Sequence, residues 1–362
     1  MADPAILDLT HVDYTALTEP ITPAQVRAFR AQIKAQQRAD PTIKTGLTTA
    51  TSIVAISVLV IFFGFFGIAI IGVVAGLAAS GGDDGSGGIV VLIVCALFIG
   101  LTIFIIVRHF GSGGPWAKWM RMSEFAAANG LQFRSRSANP SYTGMIFHLG
   151  DTRLATNHFN STTGRFFDLG GFQYSTGSGK SRSTHMWSFL ALNLDRKLPN
   201  MVLDSKENNT LFGSDLPVTF NRDQILSLEG DFDKHFTLYC PQEYEQDALY
   251  VFTPDLMALL IDDAGSFDVE IVDDWMFIYS PHPFPALDAR NYARLFNIVQ
   301  TVGTKTISQT ANYHDDRVAS ATANIVAPAG QRLRHGTSIG ALVFGVIFVG
   351  FWLFSVFGGF AH

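Results

Sequence analysis

Arg165-Phe-Phe-Asp-Leu-Gly-Gly-Phe-Gln-Tyr174 and His185-Met-Trp-Ser-Phe-Leu-Ala-Leu-Asn-Leu-Asp195 decide the fold class. Both are short runs rich in Phe and Leu, and the turn residues Gly177-Ser-Gly-Lys180-Ser181 lie between them, so they read as two antiparallel strands. The same texture extends from Leu131 to Asp204, with a further strand over 153–159. Helix signals sit at the ends. Pro115 opens a helix to about Asn129, which Gly130 caps in the left-handed conformation. Thr253-Pro254 has the cap-plus-proline signature and starts a helix over 255–262, and 286–300 forms the last helix. Strand-like runs at 235–240 and 249–252 precede Thr253, and 267–272 with 275–279 reads as a hairpin reversing at Asp273-Asp274. The prediction is an α+β domain of mostly antiparallel strands with flanking helices, without the regular alternation of a doubly wound sheet.

Outward from this block the composition changes. Residues 47–79, 89–107 and 339–361 are apolar enough and long enough to be expected as three transmembrane helices. Together they explain why 48% of the 362 residues are hydrophobic and only 15% charged, against about 25% charged in an average soluble domain. The expected organisation is therefore a cytoplasmic N-terminal segment over 1–45 and a transmembrane hairpin over 46–107. A cytoplasmic α+β domain over 108–304 follows, divisible into units at 115–204 and 218–300. A linker over 305–337 leads to a third span at 338–361.

Basic residues flank the first two apolar runs, whereas the loop between them holds only Asp83 and Asp84. Arg332 and Arg334 precede the third. The positive-inside rule then predicts a multi-pass protein of the bacterial inner membrane, with a cytoplasmic N-terminus and an outside C-terminus. Run 47–79 would be about 50 Å long at 1.5 Å per residue, beyond a hydrocarbon core of about 30 Å. Gly64, Gly67, Gly72 and Gly76 recur along it, and Gly72-Val-Val-Ala-Gly76 is a small-xxx-small pattern suited to helix pairing in a homo-oligomer. The spans carry no ionisable residue in their interiors, which favours anchoring over transport.

Thr22-Pro23-Ala24-Gln25 has the form of a capping box, so a helix is expected from Pro23 to about Ala39. Its Arg27, Arg30, Lys34 and Arg38, with Arg108, Lys118 and Arg121, are candidate contacts to anionic lipid. The acidic stretch from Glu229 to Asp274 is answered only by Lys234, while the preceding unit holds Arg134, Arg136, Arg153, Arg165, Lys180, Arg182, Arg196 and Lys197. Such polarity would orient the domain at a membrane surface, basic half toward the lipid.

The net charge of -6 argues against a general nucleic-acid partner. Cys95 and Cys240 are too few for a disulfide framework or a four-cysteine zinc site. Gly177-Ser-Gly-Lys180-Ser181 imitates part of a phosphate loop, but Tyr174 stands where the first glycine is needed and a strand follows, so a hairpin loop explains it better. The ten histidines follow no metal spacing; His158, His185, His235 and His282 could meet only through the fold. No G-x-S-x-G elbow occurs, and Ser, His and Asp are too common for a triad to be read from their presence. No catalytic residue, cofactor or metal is inferred.

Leu228-Glu-Gly-Asp-Phe232-Asp-Lys-His-Phe236-Thr-Leu-Tyr239, followed by Thr253-Pro254-Asp-Leu-Met257, resembles a family of bacterial membrane-anchored proteins catalogued as a domain of unknown function. The resemblance covers about 202–280. The gap between Phe236 and Thr253 is longer than the family pattern, and Gln242 stands where an aspartate is frequent. Family members are often encoded beside LemA-type membrane proteins, which implies such a partner. The expected function is an integral membrane protein whose cytoplasmic domain scaffolds or senses at the membrane surface through protein or lipid contacts. A membrane-tethered enzyme or lipid-binding module, with a pocket between the two units, is the alternative.

Overall fold

The computed structural model describes residues 6–39, 67, 72, 76, 100, 114–209, 214–319, 323–336 and 349. Glu19–Glu124 forms one compact unit, and Met1–Thr18 with Phe125–His362 forms the other.

In the first unit a helix spans Pro23–Ala39 and starts at the expected capping box. The Thr22 N–H donates to Gln25 Oε1 at 2.7 Å, and the Gln25 N–H donates back to Thr22 Oγ1 at 3.3 Å. Both atoms satisfy amides that the first helical turn leaves without partners. Phe29 meets the edge of Trp119 with ring centroids 5.8 Å apart.

No helix among the described residues is long and apolar enough to cross a membrane. The three-span architecture is therefore corrected, and with it the multi-pass inner-membrane location and the membrane-scaffold function built on it. The physical reason is length and polarity. Pro23–Ala39 has 17 residues and four basic side chains, and Gly114–Ala128 has 15 residues that include Lys118, Arg121 and Glu124. At 1.5 Å per residue the second is about 22 Å long, short of the roughly 30 Å a span requires. The apolar runs 47–79, 89–107 and 339–361, on which the expectation rested, lie outside the described residues apart from the isolated helical positions Gly67, Gly72, Gly76, Gly100 and Val349.

The second unit is built on one mostly buried antiparallel sheet. Strands β1 (Leu131–Ala138), β2 (Asp151–Ser161), β3 (Phe167–Thr176) and β4 (Ser183–Ser205) form a meander. Beyond β3, the far half of β4 pairs with β6 (Phe236–Tyr239), which pairs with β5 (Ile225–Leu226). On its other side β4 pairs along most of its length with β7 (Asp268–Ser280). As a central strand, β4 buries both faces of Phe189-Leu-Ala-Leu192. Its Pro199 would break a regular central strand, but β4 and β7 change register between Asn193 and Met201, where a proline is tolerated.

That irregularity also corrects the hairpin read at Asp273-Asp274. Asp273 has φ of 54°, a left-handed residue, yet the chain continues as one 13-residue strand. A bulge turns the backbone locally without reversing it. Leu249–Phe252, read as a strand, lies instead across the end of a helix, Glu245–Val251. Its apolar residues follow helical spacing, with Ala248 and Val251 buried on one side and Leu249 and Tyr250 exposed. Helix Ala289–Ile298 continues through Val299–Gly303 and Thr304–Thr310, and the stretch read as a linker buries Tyr313, Asp315, Val326 and Leu333.

One face of the sheet packs on helices. Phe125 lies 5.5 Å from Phe159 and 5.3 Å from Tyr292, centroid to centroid. The opposite face is closed by the β1–β2 connection, whose short turn Met145–His148 inserts Ile146 and Phe147 among Phe172, Phe189, Phe277 and Tyr279. Burial of a side chain such as Phe147 contributes about 1.5–3 kcal/mol. Glu270 anchors the connection by accepting from the Met145 N–H and the Tyr279 hydroxyl, each at 2.7 Å. Gly144 is required there, because a Cβ would lie 2.1 Å from the Tyr279 hydroxyl oxygen.

Candidate active site

The site is assembled by a distortion in β2. Thr156 pairs with Gly171 and Phe159 with Leu169, so Asn157 and His158 together oppose the single residue Gly170. This is a β-bulge, and Asn157 adopts the left-handed conformation it demands, with φ of 46°. The extra residue breaks the alternation of side chains: Ala155 lies in the aromatic cluster, and His158 turns to the same face as Asp168 and Phe172. Gly170 makes room, since a Cβ there would meet His158 Cβ at 2.4 Å and its Cα at 2.6 Å.

His158 is held at both nitrogens. Nδ1 lies 2.8 Å from Asp168 Oδ1 and 2.9 Å from Oδ2, and Nε2 lies 2.8 Å from Ser137 Oγ on β1. The Tyr142 hydroxyl donates to Asp168 Oδ2 at 2.6 Å. His158 is 4% exposed and Asp168 2%, whereas Ser137 is half-buried. An ionised carboxylate only accepts, so the Asp168 contact places a ring proton on Nδ1; in the neutral tautomer Nε2 then accepts the Ser137 hydroxyl. Burial first, and then the adjacent Asp168 charge, raise the Tyr142 pKa and keep its hydroxyl a donor.

A cleft of about 340 Å³ opens over this array. Ser137, His158 and Asp168 line it with Arg134, Asn160, Phe166 and Trp275. Arg134 sits directly across from His158 in the β1–β2 register. Its guanidinium is steadied by Gln132 Oε1 at 2.9 and 3.1 Å, and it has no carboxylate partner among the described residues. Trp275 comes from β7 and meets Tyr142 edge-on at 5.3 Å and Phe166 at 6.0 Å. The cleft therefore combines an aromatic wall, one cation and a hydrogen-bonded Ser–His–Asp array.

No family model matches this chain, and no curated protein matches it. Among solved structures, the mycobacterial trehalose monomycolate transport factor A, TtfA, aligns with a TM-score of 0.36 and 12% identity, over 53% of this chain and 94% of that one. A likeness at that level carries nothing about function.

The residues singled out in sequence lie elsewhere. Arg27, Arg30, Lys34 and Arg38 are on helix Pro23–Ala39, with the Arg30 guanidinium 5.4 Å from the Trp116 ring centre. Lys118 and Arg121 are on helix Gly114–Ala128, and Gly64 and Arg108 lie outside the described residues. At Gly67, Gly72 and Gly76 an added Cβ would meet nothing within 4 Å. Gly177-Ser-Gly-Lys180-Ser181 is the β3–β4 hairpin loop, as expected. His185 stacks on Tyr174 at 4.8 Å, remote in register from His158, and no cluster of metal-ligating side chains occurs among the described residues. His158 was named in sequence, whereas Asp168 fell inside a strand run and was not singled out. The one available signal was Gly170-Gly171 inside a strand, which marks a bulge or a close backbone approach.

Proposed function

We propose that this chain is a small-molecule-binding protein whose cleft over β1, β2 and β3 takes a ligand with a flat apolar body and an anionic group. The observation that supports this most is the convergence of Trp275, Phe166 and Tyr142 with the Arg134 guanidinium around one concavity. Ligand sites have this composition: an apolar wall and a few placed polar groups that fix orientation. The apolar body lies against Trp275 and Phe166. The anion meets Arg134, whose planar donors suit a carboxylate or phosphate.

Titration calorimetry of the purified full chain with 2-naphthoate tests the reading. Arg134→Gln is expected to weaken binding about 10- to 100-fold, the loss of a hydrogen bond to a charged group. Trp275→Ala is expected to weaken it by at least about tenfold through lost aromatic contact. Absence of binding, or equal affinity in both variants and the unaltered chain, overturns the assignment.

A further inference from the structure

We infer that Ser137 is a nucleophile, activated by His158 and Asp168, and that the cleft hydrolyses carboxylic esters. This rests on the cleft being a ligand site. Three observations converge. Ser137 Oγ is at hydrogen-bond distance from His158 Nε2, the ring nitrogen on the side away from Asp168. Ser137 also lines the cleft in which a ligand would lie. Finally, the bulge at Asn157 spends a left-handed residue and a required glycine to aim His158 between the other two. A nucleophile bonded to a base, and the base oriented by a third group, is the arrangement that acyl transfer needs on any fold.

The step balances without a cofactor. Ser137 Oγ attacks the ester carbonyl carbon while its proton passes to His158 Nε2. The bond from that carbon to the alcohol oxygen breaks, and the alcohol leaves with the proton from Nε2. Water then attacks the acyl-serine, giving a proton to His158, which returns it to Ser137 Oγ as the acid departs. Asp168 stays ionised and steadies the imidazolium, and Tyr142 fixes the carboxylate. Asn160 lines the cleft and is a side-chain donor that a developing oxyanion can use. The substrate class is an ester with an aromatic or apolar part for Trp275 and Phe166 and an anionic group for Arg134.

The test is covalent labelling of the full chain with an alkyl fluorophosphonate, which puts phosphorus on an activated serine and releases fluoride. Peptide mapping should find one adduct, on Ser137. Ser137→Ala should take no label, and His158→Gln should be labelled at least about 100-fold more slowly, the loss of a general base. Far-UV circular dichroism and urea midpoints close to those of the parent should show that both variants fold. Failure to label Ser137 in a chain that binds 2-naphthoate overturns the nucleophile and leaves the binding reading standing. Failure to bind 2-naphthoate removes both.

Discussion

At the scale of single residues, the site depends on Gly170. A methyl group there would fall within 2.4 Å of His158 Cβ, and the opposing strand backbone cannot yield as a flexible side chain would. Gly170→Ala is expected to cost about 1–3 kcal/mol in urea unfolding, as overpacking does. It should also lower affinity for 2-naphthoate, because the bulge can relax only by moving His158. A variant of unchanged stability would show that the close approach is not structural. The chemistry of the individual residues was legible in sequence, and their arrangement was not. His158 gains meaning from an extra residue in β2, and a one-residue register change is invisible to composition.

At the scale of elements, β7 carries a titration. Burial raises the Asp268 pKa from 3.8 to about 7, opposed by the Ser205 N–H that it accepts at 2.9 Å. Glu270, two residues on, is likewise raised by burial from 4.5 to about 7. Raised carboxyl values mean that the folded chain keeps protons the unfolded chain has already released. The associated stability is full below about pH 4 and is lost as pH rises through 7. Asp268→Asn, which resembles the protonated acid, should flatten this dependence and make the variant more stable than the parent at pH 8. Parallel urea midpoints for the two proteins from pH 4 to 8 would refute it. The strands of the meander were readable from aromatic-rich runs between turn residues, and the helix starting at Thr253-Pro254 from its cap-plus-proline signature. The continuity of β7 was not: Asp273-Asp274 is turn chemistry by composition, and only its pairing with β4 keeps the chain extended.

At the scale of the molecule, one sheet draws on both blocks that composition separated, with β7 from the second pairing along β4 from the first. The tail of the described chain is clasped to it. Arg317 lies 3.9 Å from the Tyr244 ring centre and pairs with Asp247 at 3.1 Å and Asp315 at 3.3 Å. Low periodicity hid that role, because the 311–335 stretch packs through a few anchors, Tyr313, Asp315 and Leu333, instead of a repeating face. The apolar runs at 47–79, 89–107 and 339–361 drew the sequence reading toward a membrane, whereas the described fold draws it to the cleft that β7 completes with Trp275. The most direct measurement is long-range ¹H–¹⁵N NMR of the His158 ring in the full chain, with and without 2-naphthoate. The expected result is a ring that carries a proton on Nδ1 toward Asp168, with both nitrogens shifting as ligand is added. A ring protonated at Nε2 alone, or one unmoved at saturating ligand, would contradict the site.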